Sequence, residues 1–566
     1  MMKNLRWQLL IVLLALIAIA ILLLTQQPVI LQTAAPVVQP STGGIYTEGI
    51  VGAFGRLNPL LSYYNSADRD VSALIFSGLV RFDDRGLPIA DLAESWGYSK
   101  DGMAYNFSIR QNAVWHDGKT VSSEDIAFTV ELLRDDSMPV PEDLRKLWEQ
   151  IEVVIIDEKT IQFRLPEPFS PFLDYLSFGI LPKHALEGIP PEALTDDEFN
   201  LEPVGSGPYR FERLLTKDGA IQGLVLSAFD SYYANRPFID QIVIRYYPDE
   251  GTALAAYRAG EIMGISRVTS SMLLEVLQVP ELNVYTGRLP QLTLIYFNLD
   301  DPRLPFFQDA TLRRALLMSI NRQRLIDTHM TGQAILADGP IFPGTWAFYD
   351  GIERVPYDPD AAVNFIRDAG YTIPAEGGNV RVKEDTVFRF EMVYPDDPAH
   401  QAVIESIQSD WARVGVEVVP VPASYDELVD KYLEPRAYQA ALVALNLARS
   451  PDPDPYPFWS QAQITSGQNY AQWNDRRASE YLELARITTD IEERAKAYRN
   501  FQVRFIQEMP ALPLFYPVYS YAVDNQVQGV RVGSLFDPSD RFANVTSWFL
   551  VTSRAQAAET SPTVTP

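Results

Sequence analysis

The clearest periodicity along the chain lies between residues 387 and 445. Val387 to Tyr394 alternates in part between apolar and polar positions and predicts a strand. Ala399 to Val414 carries apolar residues at helical spacing and stops at Gly415, as a helix ending on a glycine does. Val416 to Val421 is a second β-branched run, and Ser424 is placed to cap a helix reaching about Leu433. Ala440 to Leu445 is apolar on both faces, as a central parallel strand should be. This strand–helix–strand–helix–strand order predicts a doubly wound α/β domain, in which ligands bind beyond the carboxyl ends of the strands. Here that end is Asn446-Leu447-Ala448-Arg449-Ser450, followed by Pro451-Asp452-Pro453-Asp454-Pro455.

The N-terminal half has strands and turns with shorter helices. Tyr105 to Arg110 alternates as a strand, and the turn His116-Asp117-Gly118 follows. Ser122 with Asp125 three positions on resembles a capping box, and Ile126, Val130 and Leu133 form the buried stripe of the helix it opens. Gly205-Ser206-Gly207-Pro208 leads into a strand from Tyr209 to Leu214. These patterns predict an α+β region over 45–287 and an α/β domain over 288–511. The chain from 512, with Leu514-Phe515-Tyr516 as its first strand, is expected to return to the first region. Two lobes joined by two crossings make a hinge with a cleft between them.

At the N-terminus Lys3, Arg6 and Trp7 precede an unbroken apolar run from Leu9 to Leu24. As a helix it spans about 24 Å, a little less than a bilayer core. The basic residues before it place the remainder of the chain outside the cell. Thr33-Ala34-Ala35 is followed directly by Pro36, which hinders cleavage, so an uncleaved anchor over 1–25 is preferred to a removed signal. Residues 26–44 then read as a linker and 553–566 as a disordered tail.

Composition narrows the chemistry. The 566 residues are 47% hydrophobic and 21% charged, with 28 Tyr, 28 Phe and 9 Trp, which excludes an intrinsically disordered chain. Lys and Arg number 47 against 73 Asp and Glu, a net charge of −26 that repels nucleic acid. There is no Cys, hence no disulfide, thiolate metal site or Cys nucleophile, and the four His are too scattered for a zinc motif. No cofactor or metal is expected. Residues 113–120 nearly match a phosphate-binding loop, but Ala113 replaces its first glycine. Asp452 and Asp454 could be paired carboxylates of a glycosidase, yet residues two apart across a proline are splayed. His116-Asp117 reads as a turn contact rather than a dyad, and no Gly-x-Ser-x-Gly nucleophile setting occurs.

Ordered blocks along most of the chain resemble the peptide/nickel-type extracellular solute-binding proteins, bacterial family 5, which serve ABC importers. They are Gly78-Leu79-Val80, Leu92-Ala93-Glu94-Ser95-Trp96, Asp101-Gly102, His116-Asp117-Gly118, Val204-Gly205-Ser206-Gly207-Pro208-Tyr209, Phe297-Asn298, Arg313-Arg314-Ala315-Leu316, Ile320-Asn321-Arg322, Tyr357-Asp358-Pro359, Asp452-Pro453-Asp454 and Met509-Pro510-Ala511-Leu512-Pro513-Leu514. The resemblance implies an α/β, two-lobed, periplasmic-binding-protein-like (Venus flytrap) fold with mixed sheets. It implies a first lobe of 45–287 plus 512–552, carrying an α+β subdomain at about 73–194, and a second lobe of 288–511.

By the same resemblance the chain is a monomeric receptor, anchored or secreted at the outer face of the cytoplasmic membrane or in the periplasm. It would bind an oligopeptide or similar solute between its lobes and deliver it to the permease subunits. Polar anchors would be Asn446, Arg449 and Asp452, with Tyr63, Tyr64 and Trp346 as cleft walls. Many relatives place an Asp where this sequence has Arg449, and a cation there suits a carboxylate or phosphate rather than an amine. A shift of one residue in the loop would let Asp452 take the amine instead. An extracellular hydrolase and a non-transport sensory receptor are the alternatives.

Overall fold

The computed structural model describes residues 39–447 and 451–551, together with Ile17. The expected membrane segment apart from Ile17, most of the expected linker, the expected tail and Arg449 lie outside the described residues. Among the described residues, no helix is long and apolar enough to cross a membrane.

The strand Ala511–Asp524 is the spine of a mixed sheet of 12 strands. Its first part pairs antiparallel with Gln291–Phe297 and Ala334–Leu336, and its last part with Leu282–Arg288 and Gly264–Ile265. On one side the sheet continues through Ala440–Asn446, Arg389–Pro395 and Glu417–Ala423. On the other it continues through Ile45–Val51, Gln241–Tyr247, Ala220–Ala228 and Tyr209–Lys217. The strand–helix–strand order predicted around residue 400 is present, with the helix Pro398–Arg413 and parallel pairing of Arg389–Pro395 to both neighbours. Ala440–Asn446 is parallel to that strand but antiparallel to Gln291–Phe297, so it is not the purely parallel strand its apolar faces suggested. Burial on both faces requires only layers on both sides, whatever the direction of the neighbours.

Buried apolar side chains gather on the two sides of this spine. One cluster runs from Leu292 to Tyr516, and another joins Tyr46 to Ile244 with Tyr519 to Trp548. Within the second, a four-stranded antiparallel sheet in the order Ala93–Tyr98, Ala104–Ile109, Thr160–Arg164, Glu152–Asp157 packs beside the helices Ser123–Arg134 and Glu142–Glu149. Ser122 and Asp125 form the capping box, and Ile126, Val130 and Leu133 are fully buried as the stripe predicted. Trp148, Phe163 and Phe172 meet edge to face with centroids 5.6–5.8 Å apart. Phe172 in that knot fixes the short 3-10 helix Ser170–Leu176 on the sheet. The motif Gly205-Ser206-Gly207 is explained by close approach. Gly207 N donates to Ile75 O at 2.7 Å, and a Cβ on Gly205 would lie 2.0 Å from that same oxygen.

Candidate functional site

A cavity of about 320 Å³ opens where the two clusters face each other. From one side come Phe82, the turn Gly86-Leu87-Pro88, Trp96, Tyr98, Tyr105, Ser170, Leu173 and Asp174. From the other come Trp346, Asp452, Thr489, Ile491 and Arg494. Local structure sets each group. Trp96 and Tyr98 are alternate residues of one strand and share a face. Ser170 and Leu173 eclipse on the 3-10 helix, with Asp174 beside them. Arg494 lies in the first turn of the helix Ile491–Glu508, on the same stripe as buried Tyr498, Phe501 and Phe505.

The charges form an ordered chain. Arg494 Nη2 lies 2.5 Å from Asp452 Oδ2, its Nε donates to Ala485 O, and its guanidinium sits 5.0 Å from the Trp346 ring centroid. Tyr498 OH donates to Asp452 Oδ1 at 3.1 Å. Arg486 holds Asp454 at 2.9 Å and stacks 4.2 Å from the Tyr456 ring centroid. Across the gap, Asp452 N donates to Asp174 Oδ2 at 2.8 Å, Ser170 Oγ donates to Thr488 O at 2.5 Å, and Trp346 N donates to Arg85 O at 2.9 Å. Burial, reinforced by the charge on Asp452, pushes the Asp174 carboxyl well above the usual carboxylate range. Burial also raises Tyr105 to about 12, so its hydroxyl stays a hydrogen-bond donor. The arrangement offers aromatic walls, two carboxylates paired with guanidiniums, and a third carboxyl, Asp174, that accepts from the Asp452 backbone.

Of the residues singled out in the sequence, Trp346 and Asp452 line the cavity and are 8% and 5% exposed. Tyr63 is half-buried, with its carbonyl accepting from Arg69 Nη1 at 2.8 Å. Tyr64 is 79% exposed, and Asn446 is exposed at the end of its strand. None of these three lines the cavity. Arg449 lies outside the described residues. Asp174, Arg486, Arg494 and the Trp96–Tyr98–Tyr105 wall were missed. A cation on the apolar stripe of a helix was the available signal for Arg494.

The near match to a phosphate loop borders an open depression of about 700 Å³ lined by Asn112, Val114, His116, Asp117, Gly118, Phe229, Ser231 and Tyr232. His116 is committed there to the backbone of Gly205 and Gly207, and burial lowers it to about 4. Asp117 pairs with His184 at 2.8 Å, not with its neighbour His116.

The sequence matches the family described as "Bacterial extracellular solute-binding proteins, family 5 Middle" over residues 88–468. It is 24% identical over 526 residues to the oligopeptide-binding protein AppA of Bacillus subtilis, covering 90% of this chain and 92% of that one. It is 26% identical over 526 residues to the dipeptide-binding protein of Escherichia coli, covering 89% and 94%. The fold superposes, with a TM-score of 0.66 at 22% identity, on the ABC transporter-associated periplasmic binding protein DppA of Helicobacter pylori in complex with the peptide STSA, covering 91% of this chain and 99% of that one. With the family matched over residues 88–468, which include Trp96, Tyr98, Tyr105, Asp174, Trp346 and Asp452 of the cavity, the chain belongs to the bacterial extracellular solute-binding proteins of family 5.

Proposed function

We propose that the protein is the extracellular receptor of an ABC importer, taking up an oligopeptide between two lobes and handing it to the permease without changing it chemically. The lobes of the proposal are 45–287 with 512–552 and 288–511, the first carrying the subdomain at about 73–194. The protein works as a monomer, held at the membrane by residues 1–25. The observation that carries the reading is the cavity between the two apolar clusters, whose walls meet through three cross-gap hydrogen bonds. Such contacts form only when the halves approach, so a ligand spanning the gap would favour the closed arrangement by its extra contacts there. Names of relatives support the class of ligand: the Bacillus and Escherichia proteins are called oligopeptide- and dipeptide-binding.

Binding rather than turnover fits the charges. A glycosidase needs one free carboxylate and one free carboxylic acid flanking the scissile bond. Asp452 and Asp454 are each locked to a guanidinium. Trp346 and Asp452 serve as contacts in the proposal, and Asn446, Arg449, Tyr63 and Tyr64 as outer contacts of a longer ligand. Incubation with a peptide mixture followed by native mass spectrometry tests the reading. Stoichiometric retention of intact peptides is expected; hydrolysed products, or no retained peptide, would sink it.

A further inference from the structure

We propose that the hairpin of Val80–Phe82 and Pro88–Ala90 is a latch, whose turn crosses the gap and seats Leu87 on the apolar core of the opposite half. Closure over the cavity then draws on a contact of the protein's own as well as on the ligand. The inference rests on the two-lobed receptor reading and deepens it by naming the positioning residue that holds the lobes shut.

The hairpin is a sheet by itself. Val80–Phe82 pairs antiparallel with Pro88–Ala90 and with no strand of the larger sheets. Its base belongs to the first half: Val80 is part of the cluster that joins Tyr46 to Ile244, and Phe82 packs against it. Its turn does not. Leu87 packs on the other cluster, whose remaining apolar residues all fall within 292–516. The turn crosses at two further points. Arg85 O accepts from Trp346 N at 2.9 Å, and a Cβ on Gly86 would lie 2.7 Å from Pro451 O.

The turn holds that shape with its own bonds. Asp83 Oδ1 accepts from Arg85 N and from Leu87 N, both at 2.9 Å. Asp83 N donates to Leu87 O at 3.0 Å, and Gly86 N donates to Asp83 O at 2.9 Å, with Gly86 at a left-handed φ of +81°. The tip therefore meets the opposite half already ordered and loses little conformational freedom on docking. The other contacts across the gap, Asp452 N to Asp174 and Ser170 Oγ to Thr488, join polar groups that water can serve when the lobes part. Leu87 has no such exchange, because opening carries an apolar side chain off a core and into water. Its seat is coupled to the cavity. Gly86 and Leu87 line that space together with Trp346, the residue that takes the Arg85 carbonyl. A ligand there touches the turn and its receiver at once, so binding and latching favour the same arrangement.

The chain has no Cys, so Lys100→Cys with Glu492→Cys gives a single spin-label pair in the full-length protein. Both positions are exposed, beside the point where Gly102 meets Thr489 across the gap. Double electron–electron resonance without ligand is expected to show a short and a long distance. Leu87→Ala should cut the ratio of short to long by about fivefold or more. Leu87→Met, which keeps the volume, should restore most of it, as a loss of folding elsewhere would not allow. Gly86→Ala should lower the ratio by a separate route, its new Cβ meeting Pro451 O. A ratio unmoved by a folded Leu87→Ala overturns the latch, as does a wild type that shows the long distance alone. If Leu87→Ala does not fold, Gly86→Ala decides in its place. Failure to retain any peptide from the mixture described above sinks the receptor reading, and the ligand-free ratios decide the latch in either case.

Discussion

Arg541 is fully buried, and its guanidinium joins three separate elements. It lies 3.1 Å from Glu48 Oε1 on the first strand, 2.8 Å from Asp70 on the helix Ser66–Ile75, and it donates to Pro538 O in its own turn. The forked geometry matters, because a lysine could not reach both carboxylates and the carbonyl at once. Deleting one partner of a buried pair leaves an uncompensated charge and costs about 3–5 kcal/mol. Arg541→Ala is therefore expected to lower the urea unfolding free energy by about that amount at neutral pH, with Arg541→Lys losing less. The loss should shrink on acidification, because burial already raises both Glu48 and Asp70 and each can accept a proton once Arg541 is gone. A pH-independent loss would show that Arg541 acts by packing on Tyr521 and Phe542 rather than by charge.

Elements were legible where the pattern was local. The helix Pro398–Arg413, the strand Ala440–Asn446 and the Ser122–Asp125 capping box all follow from spacings of two to four residues. The site was legible only in part, for a related reason. Asp452 stood out as part of a motif, whereas its partner across the gap, Asp174, is 278 positions away and its counter-ion Arg494 sits on another helix. No periodicity links such residues; only the fold does. Gly205-Ser206-Gly207 lies between these cases, since the glycines were visible and their reason was not. They let the chain press on the end of Ser66–Ile75, where a Cβ on Gly207 would lie 2.7 Å from Leu74 O. Gly207→Ala must push backbone against backbone and is expected to cost about 1–3 kcal/mol in denaturant melts. Gly97 meets nothing within 4 Å, so Gly97→Ala should change stability by no more than about 0.5 kcal/mol. Equal effects at the two positions would refute the close-approach account.

Across the whole molecule, the buried acids set how stability follows pH. Burial and the neighbouring Asp537 raise Asp540 to about 7, and burial raises Asp91 to about 6. Unfolded, both titrate near the ordinary value of 3.8. Between these limits the native state holds more protons than the unfolded chain, so stability is greatest below about pH 4 for these groups and falls as pH rises towards 7. His116 works in the opposite sense. Its folded value of about 4 lies below its ordinary 6.5, so its contribution is whole above 6.5 and is lost on acidification towards 4. The net charge of −26 at pH 7 adds self-repulsion that acid relieves, on the side of the carboxylates. Asp540, Asp91 and the global charge thus favour acid, whereas His116 and carboxyls held low by their partners, such as Asp301 beside Arg303 and Asp475 beside Arg504, favour neutral pH. Asp540→Asn isolates one of these contributions, since the amide oxygen can still accept from Phe536 N and Asp537 N while carrying no proton equilibrium. The wild type should lose stability relative to this variant steadily from pH 4 to pH 7, read from urea midpoints at half-unit steps. Parallel curves would mean that Asp540 is ionised throughout, held by its two backbone donors against the burial that opposes its charge.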